Sequence, residues 1–212
     1  LPFREILGLL AGDVDPLWAA GAISRDHAHR LWHALPLAVP ALVDAGPDLV
    51  DTFVPGPALM RRAEAFAAEQ TRDQVAWLAR LEELVDRKAA IPHNPSTHQS
   101  ALFQQYARMM AALARERPLL LVVDDLQWVD DGSNALLFHL GRGLAGARIL
   151  IVGAYRPEEI AAGRPAPSAG ERERHPLKPL VNEFQRTFGD IAIDLARAED
   201  RRFGDEYLAR EP

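Results

Sequence analysis

The spacing of apolar residues along this chain changes once, near residue 118. Before that point it is helical. In "RDHAHRLWHAL", Ala28, Leu31 and Leu35 fall on one face. From Pro57 to Ala90 a long helical pattern runs, with Val75, Leu78, Leu81 and Val85 as its stripe and Pro57 suited to a first turn. "PHNPSTHQS" breaks it and offers Ser and Thr caps to a further helix, whose Leu102, Tyr106, Met109 and Leu113 share a face. After Pro118 the run "LLLVV" is short, wholly apolar and partly β-branched, which predicts a parallel strand covered on both sides. "DDGSNALLFHLGRGL" predicts a capped helix and "ARILIVGAY" a second buried strand, together a βαβ unit. Residues 156–176 are rich in proline, glycine and charge and predict a loop. "PLKPLVNEFQRTF" predicts a helix with Leu177, Leu180, Val181, Phe184 and Phe188 on one face, "DIAIDL" a third strand, and the last sixteen or so residues one more helix. A helical front half precedes an α/β back half.

Composition narrows the class. At 212 residues and 48% hydrophobic, the chain is long enough for one substantial core. It has no cysteine, which excludes disulfides and thiolate metal sites. No apolar run approaches the roughly 20 residues of a membrane span, and "LPFREILGLL" lacks the basic flank of a secretory signal. The expectation is a soluble cytoplasmic domain with no membrane partner. The net charge of −6 argues against direct nucleic-acid binding by this segment. The chain opens without an initiator methionine, which suggests a piece of a longer protein with further domains as partners.

The informative stretch is "RPLLLVVDDLQWVDDGS", in which a buried strand ends on Asp124 and Asp125. Two machines end a strand in this way. A receiver domain would need a further Asp closing a later strand and a Lys after it; the next strand ends "GAYR", and Lys178 precedes the last one. That reading fails. A P-loop ATPase needs a Walker B strand whose Asp holds magnesium at the carboxyl end of the sheet, and a second acid that polarises water. Asp124 suits the metal role and Asp125 the catalytic one, provided the strand frays at Asp125, because strand neighbours point to opposite faces. The following strand should bring a polar sensor to the γ-phosphate, and it ends on Arg156.

"PLLLVVDDLQWVDDGSNALLFHL…RILIVGAYRPEEI" closely resembles the Walker B to sensor 1 region of bacterial STAND-type ATPases, the multidomain signal-transduction relatives of AAA+ proteins that include the large ATP-binding LuxR-type regulators. The two-acid strand matches Leu119–Asp125, the Asp-Leu-Gln-Trp continuation Asp125–Trp128, and the arginine-ended strand Ala147–Arg156. The resemblance implies a three-layer α/β/α P-loop NTPase fold with a parallel sheet, binding ATP and Mg2+ and capable of self-association. It implies a division into a helical segment (1–117), a Walker B, sensor 1 and last-strand segment (118–195), and the start of a following helical region (196–212). It also implies the strand order 5-1-4-3-2, so that "DIAIDL" would pair with the Walker A strand. No G-x-x-x-x-G-K-[ST] phosphate loop occurs in the sequence, so the expectation is a fold incomplete at its Walker A strand. A nucleotide-free interaction scaffold is the alternative.

The remaining features have plainer readings. Asp130 and Asp131 suit helix caps, Trp128 packing, and His29 with His33 a solvated helix face without a third metal ligand. Arg156 has a competing use as the partner of Glu158 or Glu159.

Overall fold

A computed structural model describes residues 2–70, 75–90, 99–165 and 172–195. Seven helices lead: α1 (Pro2–Leu10), α2 (Asp15–Ala19), α3 (Arg25–Trp32), α4 (Leu35–Ala45), α5 (Gly56–Ala67), α6 (Ala76–Ala90) and α7 (Gln99–Glu116). Then come β1 (Leu119–Val123), α8 (Asp131–Gly143), β2 (Ile149–Gly153), α9 (Pro157–Ala162), a two-residue hairpin of β3 (Arg164–Pro165) and β4 (Arg172–Glu173), and α10 (Leu177–Phe188).

The helical half is organised around α4, whose Leu35, Ala38, Val39 and Leu42 are buried. It packs against α6 and α7, and α5 packs on α6. Leu102, Tyr106, Met109 and Leu113 share the inner face of α7, as their spacing predicts. Tyr106, fully buried, donates its hydroxyl to the Phe3 carbonyl at 3.0 Å and so fastens α1 to α7. Such a bond is what allows a phenol to be buried at all. The long pattern from Pro57 divides into α5 and α6. On α6 the buried residues are Trp77, Leu81 and Leu84, with Leu78 and Val85 at the margin, so the inner face is rotated from the expected stripe. Trp77, at the start of the helix, joins that face with its ring beside Phe66. The predicted Ser and Thr caps of α7, and the final predicted helix, lie outside the described residues.

β1 and β2 pair in parallel, from Leu119 with Ile149 to Val123 with Gly153, and α8 is their crossover. One face of this sheet meets the helices through Leu121 and Val123. The other is open: Leu120 and Leu150 are 62% exposed and Val122 is 63% exposed. The expectation of a strand covered on both sides, within three layers, is therefore met on one face only. Alternation explains the split, because neighbouring residues of a strand belong to opposite faces.

Two further expectations change. The stretch after Arg156 opens as helix α9, with Pro157 in its first turn and Ile160 buried, before the hairpin. Proline fixes a helical φ and lacks only an N–H that the first turn cannot use. "DIAIDL" forms no strand among the described residues, and Ile191, Ile193 and Leu195 are exposed. Its alternation is real, but a strand is made by its ladder, and among the described residues none pairs with it, as expected where its Walker A neighbour is missing from the sequence.

Candidate functional site

β1 and β2 end together, so Asp124–Asp125 and Ala154–Arg156 leave the same edge of the sheet. β1 stops at Val123, and Asp125 takes a left-handed conformation, φ 51° and ψ 44°. The strand thus ends before the two acids, which are not held on alternate faces as strand neighbours would be. Asp124 and Asp125 are both exposed. The Asp125 N–H donates to Asp124 Oδ1 at 2.8 Å. A left-handed non-glycine residue costs about 1 kcal/mol, least for Asp and Asn, so the turn needs support from its surroundings.

The support is Gln127, in the short 3-10 turn Leu126–Trp128. Its buried carboxamide donates through Nε2 to Asp125 Oδ1 at 2.8 Å and accepts through Oε1 from the Arg156 N–H at 3.2 Å. Leu126 donates its N–H to the Ala154 carbonyl, and Ala154 its own to Val123, which extends the tie between the strand ends. Gly153 makes room for this: a Cβ there would stand 2.3 Å from Leu126 Cδ1. Trp128, expected to pack, is 72% exposed instead, since the turn directs Leu126, Gln127 and Val129 inward. Arg156 points its guanidinium at Glu159, at 3.2 Å, on an exposed surface. The structure thus brings Asp124, Asp125 and the Arg156 backbone to one edge, while the Arg156 side chain takes the plainer of its two expected partners.

Beside this edge, Asp130 caps α8. It accepts from the Ser133 N–H at 3.0 Å and the Ser133 hydroxyl at 2.6 Å. Burial opposes its charge, but those bonds outweigh burial and hold the carboxyl below the ordinary aspartate range. Arg164, from the hairpin, donates to the Val129 carbonyl and pairs with Asp131. His175, 3% exposed, donates through Nε2 to the Gln127 carbonyl at 2.9 Å and accepts at Nδ1 from the Leu177 N–H at 3.1 Å. Sequence reasoning missed His175 and Arg164, and read Gln127 only as part of the Asp125–Trp128 continuation, without a role. For Gln127 a signal existed: it is the one polar residue in the apolar run "LQWV".

His29 and His33 are exposed, with their Nε2 atoms 3.1 Å apart. Among the described residues no group of three or more His, Cys, Asp or Glu is arranged to hold a metal, and no helix is long and apolar enough to cross a membrane.

Residues 20–152 match the family model of the AAA ATPase domain, well over half of the chain. The chain belongs to that family. No curated protein and no solved structure matches it. The match covers this AAA domain from the loop before α3 to the last residue but one of β2. Asp124 and Asp125 are inside it; Arg156 and His175 lie beyond its end. The α/β arrangement and a role in nucleotide binding follow from membership, and the family's ligands are ATP and Mg2+. The metal end of such a site fits the residues present. Two exposed carboxylates stand at the carboxyl end of a parallel strand, and Asp124 Oδ1 engages only a backbone N–H among the described hydrogen bonds. The phosphate end has no counterpart in the sequence, which contains no phosphate loop.

Proposed function

We propose that this chain is the Walker B and sensor 1 part of an ATP-binding regulatory switch of the STAND type, in a longer signalling or transcriptional regulator that supplies the phosphate loop. One observation carries the reading: in a member of the AAA family, two adjacent parallel strands run out at one edge into Asp124–Asp125 and Ala154–Arg156, segments tied together at Gln127. Bound Mg2+–ATP supplies the phosphoanhydride and the cation that neutralises developing charge. Asp124 would hold the metal through its carboxylate. Asp125 accepts a hydrogen bond from the attacking water and orients it. Arg156, if released from Glu159, would be the residue to contact the γ-phosphate. That contact exists with ATP and not with ADP, which is what allows a nucleotide to shift a conformational equilibrium. The Glu159 pair is an exposed one, worth at most about 1 kcal/mol, so releasing it costs little.

The absence of a G-x-x-x-x-G-K-[ST] motif favours a second reading, a nucleotide-free scaffold on the same fold. Nucleotide titrations separate the two. On this chain alone, Mg2+–ATP binding is expected to be weak on either reading. In the longer protein, Asp124→Asn should weaken Mg2+–nucleotide binding, while Asp125→Asn should spare binding and slow hydrolysis. Arg156→Ala should bring ATP affinity down toward that of ADP. If the longer protein binds no nucleotide, the scaffold reading replaces the switch. Equal losses for ATP and ADP in Arg156→Ala would remove the sensor role.

A further inference from the structure

Gln127 is 2% exposed, and both ends of its carboxamide are engaged. Its orientation is forced. The Arg156 backbone N–H can only donate, so the atom facing it is Oε1; Nε2 must then face the carboxylate of Asp125, which accepts. The backbone of the same residue is held from the other side. The Gln127 carbonyl can only accept, so His175 carries its proton on Nε2 and leaves Nδ1 to accept from Leu177, the first residue of α10. Gln127 therefore joins the turn after β1 to the segment after β2 through its side chain, and through its backbone carbonyl and His175 to the start of α10.

For Asp125 the result is a fixed carboxylate on an exposed turn. Oδ1 is taken by Gln127, and no protein donor among the described residues takes Oδ2. An unrestrained Asp in a left-handed turn would sample its rotamers in solvent; this one keeps a single free oxygen in a set direction. For Arg156 the result is that its backbone N–H and the Asp125 carboxylate are linked through one carboxamide.

We propose that Gln127 is a positioning residue for hydrolysis: it aims the Asp125 carboxylate and couples that aim to the end of the sensor strand. The inference rests on the function proposed above, which makes Asp125 the acid that orients water. Three variants test it. Gln127→Glu keeps an acceptor for the Arg156 N–H but replaces the donor to Asp125 with a like charge. Gln127→Leu removes both bonds at similar volume. Gln127→His restores a ring N–H donor toward Asp125.

Two measurements are made. The first is amide hydrogen exchange at Arg156 in this chain, which needs no nucleotide. Protection is expected in the wild type and in Gln127→Glu, and a fall of tenfold or so in Gln127→Leu, as for an amide that loses a net bond of about 1 kcal/mol or more. The second is steady-state hydrolysis by the longer protein. Gln127→Glu should lower kcat by about 10- to 100-fold, the scale of a misplaced general base, with the ATP dissociation constant unchanged within about twofold. Gln127→His should recover part of kcat. A merely structural residue would move stability, binding and kcat together and would not be rescued. Wild-type kcat in Gln127→Glu, with hydrolysis intact in the parent, overturns the inference alone. Unprotected Arg156 in the wild-type chain overturns the clamp itself. A parent that binds no nucleotide defeats the functional reading, and the positioning role with it, although the exchange pattern would still report the clamp.

Discussion

Helix α8 carries two glycines near its end that should respond in opposite ways to the same substitution. Gly→Ala inside a helix gains up to about 1 kcal/mol, because glycine loses more backbone entropy on folding. At Gly143 nothing stands within 4 Å of the added Cβ, so Gly143→Ala should stabilise, by about 0.5 kcal/mol given its terminal position. At Gly141 the Cβ would stand 2.6 Å from both Cε1 and Cζ of Phe184, against an optimum of roughly 3.5–4.0 Å for carbon pairs. The ring must then move by about 1 Å. It is not free to do so, since it stacks on Phe138 and touches Phe188. Overpacking of this kind costs about 1–3 kcal/mol. Gly141→Ala should therefore come out neutral to about 2 kcal/mol destabilising, with the two variants about 0.5–2.5 kcal/mol apart. Urea denaturation read as a change of midpoint at constant m measures the gap. Adding Phe184→Leu to Gly141→Ala should recover much of the loss, a coupling that a double-mutant cycle isolates. If both alanine variants stabilised equally, α10 would not lie on α8 at this distance, and the path from His175 through α10 would lose its anchor.

Two further outcomes are expected. Tyr106→Phe keeps the ring contacts with Phe3 and Phe53 but strips the Phe3 carbonyl of its donor, so unfolding stability should drop by about 1–3 kcal/mol; a loss under a few tenths would show that α1 is not fastened there. Asp130→Ala should cost about 1 kcal/mol as a lost N-cap. Because the folded carboxyl of Asp130 is lowered, its contribution is complete above the ordinary aspartate range and lost as pH falls through the lowered value. Asp48 behaves alike: the Gln105 carboxamide, against some burial and helped by Lys88, lowers it too. Acid titration of the wild type should show stability falling below about pH 4, and the Asp130→Ala chain should show a shallower fall.

Much of the back half was legible because its signals are local. An aliphatic run after proline, a capped helix and a second run specify β1, α8 and β2, and Asp130 caps as its spacing from Ser133 suggests. The boundaries inside the long helical stretch were not legible, because a period alone does not say where α5 gives way to α6 or that Trp77 and Leu84 will join Leu81 on the inner face. "DIAIDL" has pleat alternation written in its residues, but a strand exists only where another strand offers its hydrogen bonds, and among the described residues it is left unpaired, as expected without its Walker A neighbour. At the site, the residues that present chemistry outward, Asp124, Asp125 and Arg156, could be read from strand ends. Those that hold them, Gln127 and His175, are 48 positions apart and meet only through the fold.

The open face of the β1–β2 sheet has a calorimetric consequence. Unfolding raises heat capacity by about 12–15 cal/mol/K per residue, in proportion to the apolar surface newly wetted. Leu120, Val122, Leu150 and Val152, with Ile191, Ile193 and Leu195, are already in contact with water in the native fold and add little to that change. The melt of this chain should therefore be broader, and its stability curve flatter, than 212 residues would suggest. A body that covered those side chains would raise the curvature and the midpoint together.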